Sequence, residues 1–279
     1  MRTSDRKNKR KIGLVISILV LLAVIVYLIG SYVNRYNERQ FNQDLAEEVR
    51  METVYATEVS EPDVIEENEE EIAEEPESEI EAVSVDVPID FETLWEINED
   101  VHAWLSIPGM DLEYPILQSD ESDVWQEFYL NHTIERVPSE AGSIFTQHYN
   151  AKDFFDQVTF VYGHDMADGS MFGRLRNFWS ADFMAAHPYI VIYTPTNIFT
   201  YEIFAAVTYD DYHILYYTDF ENADEFQAFL DNIRNFRSLN RLWNEAVEVS
   251  TNDRLLILST CVDRSDHRLL VGAVLVDEQ

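Results

Sequence analysis

The chain has one cysteine, Cys261, and it closes the apolar run LLILSTC (255–261). A short run rich in branched side chains is a buried strand in prospect, with Cys261 where it ends. At period two, Cys261 shares a face with Ser259 and Ile257, while Thr260 and Leu258 point the other way. A thiol at the end of a rigid strand is well positioned yet reachable, and a thiolate is a competent nucleophile for acyl transfer. Cysteine is equally among the most buried residue types, so this segment alone also fits a plain core residue.

Thiol acyl transfer needs a group that gives and takes a proton. His164 stands in YGHDM (162–166), directly after the strand-like VTFVY (158–162) and before a loop rich in glycine and aspartate. Gly163 permits a turn that aims the next side chain. Six other histidines dilute the signal, and His132 and His267 are rivals. A fixed cation for an oxyanion is the third requirement. Arg268 opens the apolar run LLVGAVLV (269–276); Arg264, among Asp263, Ser265 and Asp266, is the competitor.

Other chemistries find no support. No paired or clustered Cys/His spacing suggests zinc, and no glycine-rich phosphate loop is present, so neither metal nor cofactor is expected. A single cysteine allows no internal disulfide. A net charge of −34 would repel phosphate backbones, which argues against nucleic acid as a partner.

The elements that must position these residues lie in the second two-thirds of the chain. Residues 12–30 are an uncharged apolar run of 19, long enough for a hydrocarbon core of about 30 Å. Residues 1–11 carry Arg2, Arg6, Lys7, Lys9, Arg10 and Lys11, so the positive-inside rule predicts a cytoplasmic N-terminus and an extracytoplasmic remainder. Residues 31–57 read as a juxtamembrane stalk with helix-compatible spacing. Residues 58–88 read as an acidic disordered linker, with thirteen acidic and no basic side chains between Glu58 and Glu81. The folded domain is expected over 89–279. A short helix is predicted at 91–98 and a turn at 107–109. Strands are predicted at 112–117 (an edge, because of Pro115), 143–146, 158–162, 190–193, 199–207, 255–260 and 269–276. A longer helix is predicted at 222–239. Many short strands with a few helices imply a mainly β fold, a barrel or a sandwich with helical decoration.

The ordered set of Tyr-Gly-His, then LSTC (258–261) about a hundred residues on, then an arginine opening a final strand, resembles the sortases, and most of all class B. WLSIPG (104–109), YPILQ (114–118), YLNH (129–132), GSIF (142–145) and GSMFG (169–173) join the resemblance, which extends over about 91–279. It implies an eight-stranded β-barrel with flanking α-helices, preceded here by one transmembrane helix. It implies a transpeptidase in which Cys261 attacks the carbonyl after threonine in the C-terminal sorting signal of a secreted protein. An amine of a peptidoglycan precursor, or of another protein, then resolves the thioester. By the same resemblance His164 serves as acid and base and Arg268 as oxyanion cation. Asn131, Tyr162 and Ser259 line the peptide groove, with Asp263 near the site. A wall enzyme of the L,D-transpeptidase kind would carry Ser-x-Gly-Cys-x-Arg, which the segment ending in Cys261 lacks. A catalytically inactive wall-binding protein of the same fold is the remaining alternative.

Overall fold

The computed structural model describes residues 2–51, 85–119, 127–210, 213–238, 240–261 and 267–279. Helix α1 (Arg2–Val49) comes first, then α2 (Phe91–Ile97), β1 (Val101–Ile107), β2 (Leu112–Leu117), β3 (Ile144–Phe145) and β4 (Val158–Tyr162). After α3 (Ala181–Ala186) come β5 (Tyr189–Tyr193) and β6 (Ile198–Asp210). Helices α4 (Ile214–Tyr217) and α5 (Ala223–Asn235) precede β7 (Arg241–Trp243), β8 (Leu255–Cys261) and β9 (His267–Glu278).

The strands pair in the order β5-β1-β2-β3-β4-β8-β9-β6, and β6 pairs back to β5. That closes a ring of eight, with β7 laid beside Ala205–Val207 of β6 as a short ninth strand. Closure removes the free edges an open sheet would expose. Inside the barrel, every strand of the ring except β4 and β8 is joined by residues at alternate positions of those two: Val161 with Leu256 and Leu258. The opposite faces of the same strands, Val158, Phe160, Leu255 and Ile257, lie under Phe226, Phe229, Leu230 and Ile233 of α5. α5 begins where Asn222 accepts hydrogen bonds from the amides of Asp224 and Glu225, capping the orphan donors of its first turn.

β2 corrects the reading of 112–117 as an edge strand. It lies between β1, antiparallel, and β3, parallel. The ladder to β3 covers only Ile116 and Leu117, so Pro115, which has no amide proton to donate, sits just outside it. β1 has no counterpart in the sequence reading. All seven of its residues are buried, and Val101 and Trp104 share the outer cluster because a bulge between Val101 and Ala103 breaks the alternation.

Among the described residues one helix, α1, is long and apolar enough to cross a membrane, and none of its apolar window is buried in the protein. α1 continues without a break to Val49, where its end docks on the barrel. Leu45 and Val49 pack with Val87, Ile89, Phe91, Leu94, Trp104 and Tyr129 in one cluster. The end of α1 and residues 85–89 thus pack on the barrel. The two flanks of the acidic segment meet at its base. The Met51 amide donates to the Pro88 carbonyl at 3.1 Å, and that of Asp90 to the Val49 carbonyl at 2.8 Å.

Candidate active site

β4 and β8 run parallel, so their C-terminal ends lie at the same rim of the barrel, with Tyr162 opposite Ser259. The Gly163 amide extends the contact by donating to the Ser259 carbonyl at 3.2 Å. His164 follows two residues beyond Tyr162, as Cys261 follows two beyond Ser259. On the other side of β8, the antiparallel ladder sets Cys261 opposite Arg268, whose far neighbour on β6 is Tyr209. The chain positions of His164, Cys261 and Arg268, scattered over a hundred residues of sequence, thus come together at the ends of three adjacent strands.

Tyr162 belongs to the outer face of this rim. Its ring stacks on Phe145 (centroids 5.5 Å apart) and lies against Phe160 (6.2 Å). Burial pushes its phenol above the ordinary value, while the Arg268 guanidinium pulls the other way, which sets the two side chains in each other's field. Ser259 is only 2% exposed, so what it offers the rim is its backbone carbonyl. Asn131 is exposed and follows Leu130, the residue whose carbonyl meets His164. Asp263 and Arg264 lie outside the described residues.

His164 is half-buried, and its Nε2 lies 2.8 Å from the Leu130 carbonyl oxygen. The loop that follows is pinned at several points. Asp165 pairs with Arg176 through both Nε, at 2.8 Å, and Nη2. The Phe172 amide returns to the His164 carbonyl at 2.9 Å, and the Met171 amide donates to the Tyr114 hydroxyl at 3.0 Å. Gly163 has a steric reason for its identity: a Cβ there would lie 2.4 Å from Ile144 Cδ1 and 2.9 Å from Phe172 Cδ2. Sequence reasoning missed Leu130 and the Asp165–Arg176 pair. A carbonyl leaves no trace in residue type, and a charge pair eleven residues apart has no diagnostic spacing.

The rival histidines have other employment. His132 stacks on Phe128 with ring centroids 4.0 Å apart, and its Nδ1 is bonded to the Phe128 carbonyl. His267 is exposed, 4.0 Å from the Asp210 carboxylate. A cavity of about 350 Å³ lies under α1, lined by residues such as Phe41, Tyr114, Ile134, Ile144 and Met171. It touches Gly142 behind the histidine loop but is not lined by His164, Tyr162 or Arg268. No group of three or more His, Cys, Asp or Glu side chains that could hold a metal occurs among the described residues.

An eight-stranded barrel with histidine, cysteine and arginine positions converging on one rim is the architecture of a cysteine transpeptidase of the cell wall, and comparison with known proteins agrees. The Sortase domain family model matches residues 105–276, and the chain belongs to that family. Among curated proteins it is similar to Sortase B of Listeria monocytogenes, 34% identical over 199 residues, covering 70% of this chain and 77% of that protein. Sortase B of Staphylococcus aureus is 32% identical over 191 residues, covering 67% and 74%. Among solved structures, sortase B from B. anthracis in complex with AAEK1 superposes with a TM-score of 0.65 at 26% identity, covering 88% of this chain and 99% of that one. The Staphylococcus aureus sortase B-substrate complex gives 0.58 at 30% identity, covering 67% and 84%. The eight-stranded barrel, the class B resemblance and the cysteine transpeptidase class all stand.

Proposed function

We propose that this chain cleaves a C-terminal sorting signal of secreted proteins after threonine and transfers the threonine acyl group to an amine of the cell wall or of another protein. Cys261 passes its thiol proton to His164, and the thiolate attacks the scissile carbonyl, forming a carbon–sulfur bond as the carbonyl electrons move onto oxygen. Arg268 meets that oxyanion with a permanently charged, planar fork of donors. His164 gives a proton to the departing amine, and the intermediate collapses to a thioester. The acceptor amine then attacks, His164 takes its proton, and the thiolate leaves. A thioester holds the acyl group in activated form until the amine arrives. Tyr162 and Asn131 line the peptide groove, with Ser259 and Asp263 beside the site.

The observation that supports this reading is the register of β4, β8 and β9. It sets Cys261 against Arg268 and brings the chain to His164 at the same rim. We read residues 12–30 of α1 as the membrane anchor, 1–11 as a cytoplasmic tail and 31–57 as the stalk. Residues 58–88 are the acidic linker, and the catalytic domain from 89 onward is extracytoplasmic.

The test is incubation of the protein with a threonine-containing peptide library, followed by sequencing of the cleaved bond and mass analysis of Cys261. Cleavage after threonine with an acyl adduct on Cys261, absent in Cys261→Ala, is expected. Full turnover by Cys261→Ala would refute Cys261 as the nucleophile, and no cleavage or adduct with any peptide would refute the proposal and favour an inactive wall-binding protein.

A further inference from the structure

Two contacts converge on one atom, the carbonyl oxygen of Leu130. The first is the 2.8 Å approach of His164 Nε2. A carbonyl only accepts, so Nε2 carries the proton and donates it, and the nitrogen left for reacting groups is Nδ1. The second is the packing of Gly142. Its φ is +59°, and a Cβ built there would lie 2.3 Å from the Leu130 oxygen and 2.6 Å from that of Tyr129. Both are backbone atoms, so no side-chain rotation could relieve the clash.

The turn bearing Leu130 has little freedom to yield. It is a 3-10 turn, Phe128–Leu130, with Tyr129 only 1% exposed. The Tyr129 hydroxyl donates to the Asp100 carboxylate and accepts from Asn98 Nδ2 at 2.7 Å. Arg136 closes on the same carboxylate at 2.9 Å. The amide of Ser143, next to Gly142, donates to the Tyr129 carbonyl at 2.8 Å. The turn and the Gly142 segment are thus laced together, and the Leu130 oxygen is what they present to His164.

We propose that the Leu130 carbonyl orients His164 and fixes its tautomer, and that Gly142 is the positioning residue that allows it. The proposal rests on the reading of His164 as acid and base. In a serine-type triad a carboxylate holds the histidine in this way. A neutral carbonyl does the orienting without adding a negative charge beside a group that must also release its proton.

The experiment uses the full chain in detergent, labelled with ¹⁵N-histidine, with His164→Ala to assign the signal. The parent should show a slowly exchanging Hε2 proton on His164. In Gly142→Ala that proton should exchange fast or vanish. Its kcat on a fluorogenic peptide built from the library-cleaved segment should fall about 10²-fold, the scale for displacing a catalytic group by about 1 Å, with KM within a few-fold. A parent with no slowly exchanging Hε2 proton overturns the proposal, and this measurement decides alone if Gly142→Ala fails to fold. A Gly142→Ala protein that keeps either the signal or the parent kcat also overturns it. Parent-like turnover by His164→Ala has a different meaning: the acid–base assignment falls, and the proposal falls with it.

Discussion

At the scale of the residue, the choice between arginines tests the proposed oxyanion cation. Arg268 sits in a ladder, opposite Cys261 on one side and Tyr209 on the other, so its backbone is held by two strands. Its charge is felt by Tyr162. Arg264 stands in sequence among Asp263, Ser265 and Asp266, where an exposed ion pair would account for it and contribute little. Arg268→Ala should therefore lower the single-turnover acylation rate by about 10²–10³, the usual scale for losing an oxyanion donor. Arg268→Lys should recover only part, because an ammonium lacks the planar fork. Arg264→Ala should stay within a few-fold. The reverse ranking would reassign the cation.

At the scale of the element, the end of α1 and the acidic segment contribute differently to the folded body, in a way their order in the chain hides. The flanks of the segment are already joined by hydrogen bonds between Val49–Met51 and Pro88–Asp90, so its length does not set how far the barrel stands from α1. Replacing residues 52–84 by a short Gly-Ser turn should leave the melting temperature and peptide turnover within error to a few-fold. A large loss in either would mean the segment docks on the barrel. The end of α1 behaves oppositely. Leu45, Val49 and Val87 are buried against the barrel, each worth roughly 1.5–3 kcal/mol of apolar burial. A chain beginning at Ile89 should thus unfold at lower urea than one beginning at residue 31, by several kcal/mol. Equal midpoints would show that the docking contributes nothing.

At the scale of the whole molecule, acid should loosen the barrel through a histidine that has no part in the proposed chemistry. His102 is buried on β1. Its Nδ1 donates to the Lys152 carbonyl at 2.8 Å, and its Nε2 accepts from the Thr146 hydroxyl at 2.9 Å, which suits a neutral ring. The same hydroxyl accepts from Gln118 at 3.0 Å, so its one proton is available for the histidine. Burial lowers the His102 pKa from 6.5 to about 4. Between those values the unfolded chain binds the proton and the folded chain does not. The stabilisation is therefore complete above about pH 6.5 and is lost as pH falls toward 4, on the order of 3 kcal/mol in all. Urea denaturation at pH 7.5 and 4.5 should show this loss in the parent and a smaller one in His102→Gln. An identical pH dependence in the two would exclude His102 as the source.

Much of this protein was legible in local pattern. The lone cysteine at a strand end, a histidine after a glycine and an arginine before a strand are features of residue type and short spacing. The strands at 158–162 and 255–261 follow from short apolar runs rich in branched and aromatic side chains, and the α5 amphipathic face from a periodicity of 3.6. The apolar run of α1 is likewise visible without a fold. Only the tertiary structure decided what depends on pairing across the chain. β1 escaped notice because His102 and Ser106, both buried, interrupt VHAWLSI, leaving neither a continuous apolar run nor a clean alternation. Pro115 misled because its strand is an edge for part of its length only. The carbonyl that meets His164 belongs to a residue whose side chain is irrelevant to the contact, and the glycine that admits it is twelve residues further along. Sequence determines which side chains can do chemistry; which backbone atoms hold them ready depends on which segments the closed barrel brings side by side.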